Sequence, residues 1–175
     1  MSRKYLNDKY CVRCSRKGAT PFLRDNVELL LKDMYCPAIL DIGCGNGRNT
    51  IFMRDNLAQN NVVAFDMCND FGYKIMLGKD KFPMFKRTAH IVLAQYCMMF
   101  LNKAERKQVI KEINRVAAIG ARIMVELYPA KDSEAKTEKE CTALQNEIFK
   151  QLNVWGATWN ELKWNKHRFI AERCG

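Results

Sequence analysis

The sequence predicts an α/β fold, and three features predict it. Short apolar runs at residues 38–42, 61–65 and 89–94 alternate with stretches in which apolar residues recur at helical spacing. The first run ends on three glycines spaced two apart, Gly43, Gly45 and Gly47, and a helical pattern follows. The second run ends, about twenty residues on, at Asp66, where a strand–helix–strand nucleotide site places the carboxylate that holds a ribose diol. The bend therefore predicts a small ligand containing a ribose.

At 175 residues the chain has the length of one domain and enough material for a substantial core. It is 48% hydrophobic, yet no run approaches the ~18 apolar residues that span a bilayer, so no membrane association is expected. No apolar segment follows the basic N-terminus, and no signal peptide is expected. The eight cysteines are scattered rather than set in a framework, which fits reduced thiols in a cytoplasmic protein. The formal net charge of +10 favours attraction to polyanions and says nothing about fold. It is concentrated at the start, where Arg3, Lys4, Lys9, Arg13, Arg16, Lys17 and Arg24 face one acid, Asp8. Residues 1–20 read as a basic arm and residues 21–175 as a single domain. The arm is a candidate contact with nucleic acid, with a solvated lead-in as the alternative.

In chain order, Cys11-Val12-Arg13-Cys14 is a lone C-x-x-C pair. Structural zinc sites take four ligands, and the two histidines, His90 and His167, are isolated, each in an expected strand; no metal site is expected. Thr20-Pro21 reads as the N-cap and first position of one helix running through Phe22, Leu23, Val27, Leu30 and Leu31, which Cys36-Pro37 ends. After the first strand and the glycines, a helix over residues 48–57 offers Ile51, Phe52 and Leu57 to the sheet. Only six residues separate Asp66 from the third apolar run, 73–77, so this crossover helix must shrink to a turn. Gly78-Lys79-Asp80 ends the third strand, and Lys81-Phe82-Pro83 follows. The fourth strand runs into Gln95-Tyr96-Cys97-Met98-Met99-Phe100-Leu101. Asn102 and Glu105 form a capping box heading a helix with Val109, Ile110, Ile113, Val116 and Ala117 inward, closed by Gly120. Residues 121–127 are the fifth strand. A polar link, 129–139, leads to a last helix carrying Leu144, Ile148, Phe149 and Leu152. Two strands turned at Asn165-Lys166 close the chain as a hairpin. Trp155, Trp159 and Trp164 read as core and edge cover rather than a base-stacking platform.

Glycines at the bend allow close approach of the main chain to a ligand, and the helix beyond aims unpaired N–H groups at it. A dinucleotide fingerprint is G-x-G-x-x-G, whereas here Arg48 occupies the position of the last glycine. With Asp41 two residues ahead, Leu40-Asp41-Ile42-Gly43-Cys44-Gly45-Asn46-Gly47 resembles motif I of the class I S-adenosylmethionine-dependent methyltransferases. Met99-Phe100-Leu101 is similar to the same segment of small tellurite-resistance-like members. The resemblance implies a Rossmann-like three-layer sandwich with a mostly parallel seven-stranded sheet ending in an antiparallel hairpin. It implies S-adenosyl-L-methionine as cofactor and S-adenosylhomocysteine as product. Asp41, Gly43, Cys44, Gly45, Asn46 and Gly47 would hold the methionine part, Asp66 with Met67 the ribose, and Asp80 with Lys81 would lie by the adenine. In the family's third motif the acid follows the glycine directly; here Lys79 intervenes, and a solvated turn carboxylate is the alternative for Asp80. Ala94, Gln95 and Tyr96 would border the transferable methyl, beyond the carboxyl end of their strand. Residues ahead of the first helix fold over the cofactor in this family, so the arm is also a candidate lid.

Methyl transfer from a sulfonium is an in-line displacement, in which alignment and exclusion of water supply most of the catalysis. Gln95 and Tyr96 are candidates to orient an acceptor, or ordinary rim residues. The fourth strand lacks the Asp/Asn-Pro-Pro-aromatic tetrad and the Pro-Cys pair of nucleic-acid methyltransferases of this fold, and Cys97 reads as a small core residue. The expected function is methyl transfer to an unidentified small molecule or exposed macromolecular group. The alternative is a non-catalytic protein that binds the cofactor or nucleic acid. Lysis or aminopropyl transfer would need a dedicated acidic pair that is not evident, and a dehydrogenase is disfavoured by the glycine spacing.

Overall fold

The computed structural model describes residues 18–55, 61–67, 72–154 and 156–175. The Cys11/Cys14 pair and most of the basic arm lie outside the described residues, as do Leu57, residues 68–71 of the reduced crossover and Trp155. Two short helices, α1 (Pro21–Arg24) and α2 (Val27–Leu31), precede β1 (Ile39–Ile42), α3 (Arg48–Asp55), β2 (Val62–Asp66) and β3 (Tyr73–Lys74). There follow β4 (Ala89–Gln95), a 3₁₀ turn (Met98–Phe100), α4 (Lys103–Val116), β5 (Ala117–Glu126), α5 (Glu138–Leu152), β6 (Trp159–Asn165) and β7 (Arg168–Arg173).

The seven strands form one sheet in the order β3-β2-β1-β4-β5-β7-β6. All neighbours are parallel from β3 to β5, while β7 runs antiparallel between β5 and β6. The architecture expected from the sequence is thus the one observed. Alternation along the strands divides the core in two. Leu40, Ile42, Val92, Ala94, Ile123 and Val125 pack with the inner faces of α4 and α5, whereas Ile39, Ile91, Leu93 and Met124 pack with α1, α2 and α3. Asp41, Gln95, Glu126 and Arg168 share the second face, at the carboxyl ends of the parallel strands. No described helix is long and apolar enough to cross a membrane.

Caps locate the long helices. Asn102 accepts from Glu105 N–H and returns its own N–H to Glu105 Oε2, both at 3.0 Å, completing the expected capping box. Thr137 and Glu140 make a second such box at α5.

Local expectations fail at five places. The first helix is split, because Asn26 Nδ2 donates to the Phe22 carbonyl (2.7 Å), an acceptor that a continuous helix gives to a backbone N–H. On α3 the buried side chains are Asn49, Thr50 and Met53, and Ile51 is 45% exposed, because Asn49 and Thr50 find polar partners beneath the helix. The third strand stops at Lys74 rather than Leu77, because Met76 N–H turns to Asp80 Oδ2 (2.7 Å) and closes a turn. Gly120 (φ +79) does not stop a helix; it sits in a bulge of β5, between the pairings Ala89–Ala117 and Ile91–Arg122. His167 lies in the β6–β7 turn at φ +64 rather than in a strand.

Candidate cofactor site

The glycine bend is built into the sheet from two sides. Cys44 N–H donates to the Phe65 carbonyl (2.9 Å) and Gly45 N–H to Asp66 Oδ2 (2.7 Å), so the end of β2 holds the bend that leaves β1. Gly47 N–H closes the turn on the Cys44 carbonyl (2.9 Å), and its own carbonyl accepts from Ile51 N–H as α3 begins. At Gly43 the residue type is required twice. Its φ is +67, and a Cβ there would stand 2.4 Å from Cys97 Cβ. The bend is thereby clamped against the segment that leaves β4, and Leu77 reaches the same spot from the turn after β3.

Asp41 is buried below the bend, where Oδ2 accepts from Thr50 Oγ1 (2.5 Å). Burial pushes its carboxyl up to about 6; the Thr50 hydrogen bond opposes that rise and the nearby Asp66 carboxylate adds to it. Cys44 and Cys97 are buried beside these acids, and desolvation first, then the negative charge, raises both thiols well above their ordinary value. The raised values disfavour the thiolate at both, and Cys97 is the small packing residue expected of it.

Gln95 is the centre of a buried polar network. Its Nε2 donates to Thr20 Oγ1 (2.7 Å) and Glu126 Oε2 (2.8 Å), and its Oε1 accepts from Asn49 Nδ2 (2.8 Å). Thr20 N–H donates to Asn49 Oδ1 (3.0 Å), closing a ring that ties the entry to α1, the first turn of α3 and the end of β4. Glu126 also faces Arg168, across the β5–β7 pairing (3.5 Å), and Arg168 lies over the Phe22 ring (5.1 Å). Tyr96 follows Gln95 at φ +59, with Arg48 over its ring (5.6 Å) and Tyr128 edge-on to it (5.2 Å). Burial, together with the charge and hydrogen bond of Glu126, raises its phenol, which stays protonated and acts as a donor.

The fold thus gathers Asp41, residues 43–47, Asp66, Met67, Gln95 and Tyr96 at one end of the sheet. Other expected site residues are placed differently. Ala94 is enclosed in the core on the α4 side. Asp80 is exposed with Oδ2 bonded in its own turn, and Lys81 is exposed in the loop along α4, where its charge acts on Glu112. Sequence reasoning missed Thr20, Arg48, Asn49, Leu77, Glu126 and Arg168 as neighbours of the site. Glu126 alone had a signal, an acid ending an apolar strand just as Asp66 does.

No protein-family model matches the chain, and no curated protein matches its sequence. Solved structures do resemble it. The PH0226 protein from Pyrococcus horikoshii superposes with a TM-score of 0.65 at 13% identity, over 99% of each chain. A SAM-dependent methyltransferase from Aquifex aeolicus gives 0.58 at 13%, over 86% of this chain and 89% of that one. The N-methyltransferase NodS from Bradyrhizobium japonicum, solved with S-adenosylhomocysteine, gives 0.59 at 10%, over 97% and 93%. The chain therefore shares the seven-stranded, Rossmann-like α/β fold of the class I S-adenosylmethionine-dependent methyltransferases.

Proposed function

We propose that the chain binds S-adenosyl-L-methionine and transfers its methyl group to a small molecule or an exposed group on a macromolecule. The observation that carries this reading is the hydrogen bond from Gly45 N–H to Asp66 Oδ2. It makes the sugar-binding acid and the backbone cradle a single rigid unit, with a second acid, Asp41, beneath. When bound, the cofactor supplies an already activated methyl carbon. Asp66 and Met67 receive the ribose, while residues 43–47 lie along the methionine part, with Asp41 as the charge complementary to an ammonium. Asp80, with Lys81 beside it, would lie by the adenine.

Gln95 acts as a positioning residue, because both its N–H groups and its carbonyl are already engaged. Tyr96 offers a neutral donor on the acceptor side, and Glu126 is held by Gln95, Tyr96 and Arg168. Such a surface suits an acceptor that loses no proton before attack, such as a neutral amine. The Met99-Phe100-Leu101 segment supports a small, tellurite-resistance-like type, and the free cysteines Cys44, Cys97 and Cys141 support a reducing, cytoplasmic setting.

Calorimetric titration with S-adenosylmethionine tests the site. Asp66→Ala is expected to weaken binding by about 1–3 kcal/mol, the range for losing a charged acceptor. Undiminished affinity in that variant overturns the assignment. Label transfer from methyl-labelled cofactor to components of cell extracts then identifies the acceptor; tight binding without transfer favours the non-catalytic alternative.

A further inference from the structure

The side of the sheet covered by α4 carries a surface that overlaps the proposed cofactor site only at Asp80 and Lys81. The loop between β3 and β4 is laid along α4: Phe82 N–H donates to Glu112 Oε2 (2.9 Å), and the Arg115 guanidinium donates to the carbonyls of Phe82 (2.9 Å) and Met84 (2.8 Å). At its start, Gly78 packs against the backbone of Glu105. Lys79, Lys81, Lys86 and Arg87 are exposed on this loop, and Lys107 and Lys111 are exposed on the helix along which it lies. The two lysines of α4 stand about 6 Å apart along the helix axis.

The acids of this strip are turned toward partners within it. Asp80 accepts from Met76 N–H and Glu105 from Asn102 N–H. Glu112 accepts from Phe82 N–H and Arg115, and these bonds hold its carboxyl below the usual value despite partial burial. Two aromatic rings stand out in water on the same side. Phe85 is 85% exposed among the loop cations, and Tyr73, in edge contact with Phe65 as Phe82 is in tilted contact with it, is 61% exposed.

Cations that track phosphates, with exposed rings beside them for unstacked bases, form the combination that grips a single strand. A duplex would meet the cations but leave the rings without stacking partners. An acidic protein would meet the cations too, but protein interfaces centre on a desolvated apolar patch, and Phe85 stands among lysines. We propose that the strip made by residues 79–87 and the exposed face of α4 binds single-stranded nucleic acid, with phosphates on Lys81, Lys86 and Lys111 and a base on Phe85. This surface is distinct from the basic arm and does not depend on the methyltransferase reading.

Fluorescence anisotropy tests it, using the full chain without cofactor and labelled oligonucleotides of about twenty bases at about 50 and 200 mM salt. Lys81→Ala/Lys86→Ala/Lys111→Ala is expected to weaken single-strand binding at least ~10-fold. It should also lower the salt slope by about two, because each phosphate that is no longer neutralised removes ~0.7 from it. Phe85→Ala is expected to weaken binding about 5- to 150-fold with the slope unchanged, the cost of giving up one stacked base. The control Lys131→Ala/Lys139→Ala/Lys150→Ala, also at exposed positions, is expected to stay near the parent. Where thermal melts show that a combined variant is misfolded, the single Lys→Gln changes at 81, 86 and 111 are compared instead. Four results overturn the proposal: no binding at low salt, equal loss in the control, undiminished binding in the strip variants, or competition by a duplex or polyglutamate as strong, charge for charge, as by a single strand.

Discussion

Adding one methyl group to Gly43 tests the clamp between the glycine bend and β4. In Gly43→Ala the new Cβ would stand 2.4 Å from Cys97 Cβ and 3.2 Å from its sulfur, at a φ of +67. The left-handed conformation costs an L-residue about 1–2 kcal/mol. Forcing a methyl into packed surroundings costs about 1–3 kcal/mol more. A loss of about 2–5 kcal/mol is therefore expected, lowering the melting temperature by about 10 °C at this chain length. Gly45→Ala is the internal control: its φ is +55, but nothing lies within 4 Å of a new Cβ, so only the conformational part, about 1–2 kcal/mol, is expected. Urea unfolding of both variants, in double-mutant cycles with Cys97, separates the contributions. Cys97→Gly removes the opposing Cβ and should rescue about 1–3 kcal/mol of the Gly43→Ala loss, whereas Cys97→Ala keeps that atom and should rescue little. Equal losses at the two glycines, or no coupling to Cys97→Gly, would refute the clamp.

Asp41 gives a pH prediction with an unusual sign. Its carboxyl is raised from 3.8 to about 6 in the folded chain, so the native state holds the proton more tightly than the unfolded state. The associated stability is fully present below about pH 4 and is lost as pH rises through about 6, about 3 kcal/mol in all. Asp41→Asn lacks this loss, so its stability should gain on the parent by about 2 kcal/mol between pH 4 and 6, and by about 3 kcal/mol between pH 3 and 7; a constant difference in urea titrations would contradict it. Gln95→Leu strips partners from Thr20, Asn49 and Glu126 together, and an expected loss of about 2–4 kcal/mol follows from leaving buried polar groups unpaired. Hydrogen exchange should show Leu23 N–H, which is held by Thr20 Oγ1, losing protection in that variant; native protection there would show that the network does not hold α1. The Asp66→Ala titration and the oligonucleotide series complete the set.

Legibility in the sequence followed the range of the interaction. The capping box of Asn102 and Glu105 was readable because its partners are three residues apart. The entry to the first helix was readable because Thr20 caps Leu23 N–H and proline suits the next position. The face of α3 was misread because Ile51 is more hydrophobic than Asn49 or Thr50. The buried face followed the polar partners instead, Gln95 for Asn49 and Asp41 for Thr50, and burying a polar group is tolerated where it is hydrogen-bonded. Asp80, an acid near a strand end, has one oxygen engaged in its own turn, accepting from Met76 N–H four residues back.

By itself the sequence determined the alternation of strand and helix, the three-glycine bend, and acids at the ends of β1 and β2. Each depends on residue type and spacing, which a linear pattern records. Tertiary structure alone decided that Thr20, Asn49, Gln95 and Glu126 meet, since Gln95 lies 75 residues from Thr20 and 31 from Glu126 along the chain. It also decided that Gly43 must be glycine because of Cys97, and that the loop after β3 lies along α4. Side chains that meet only through strand order and helix rotation leave no periodic trace, and those meetings define both the polar network around Gln95 and the basic strip.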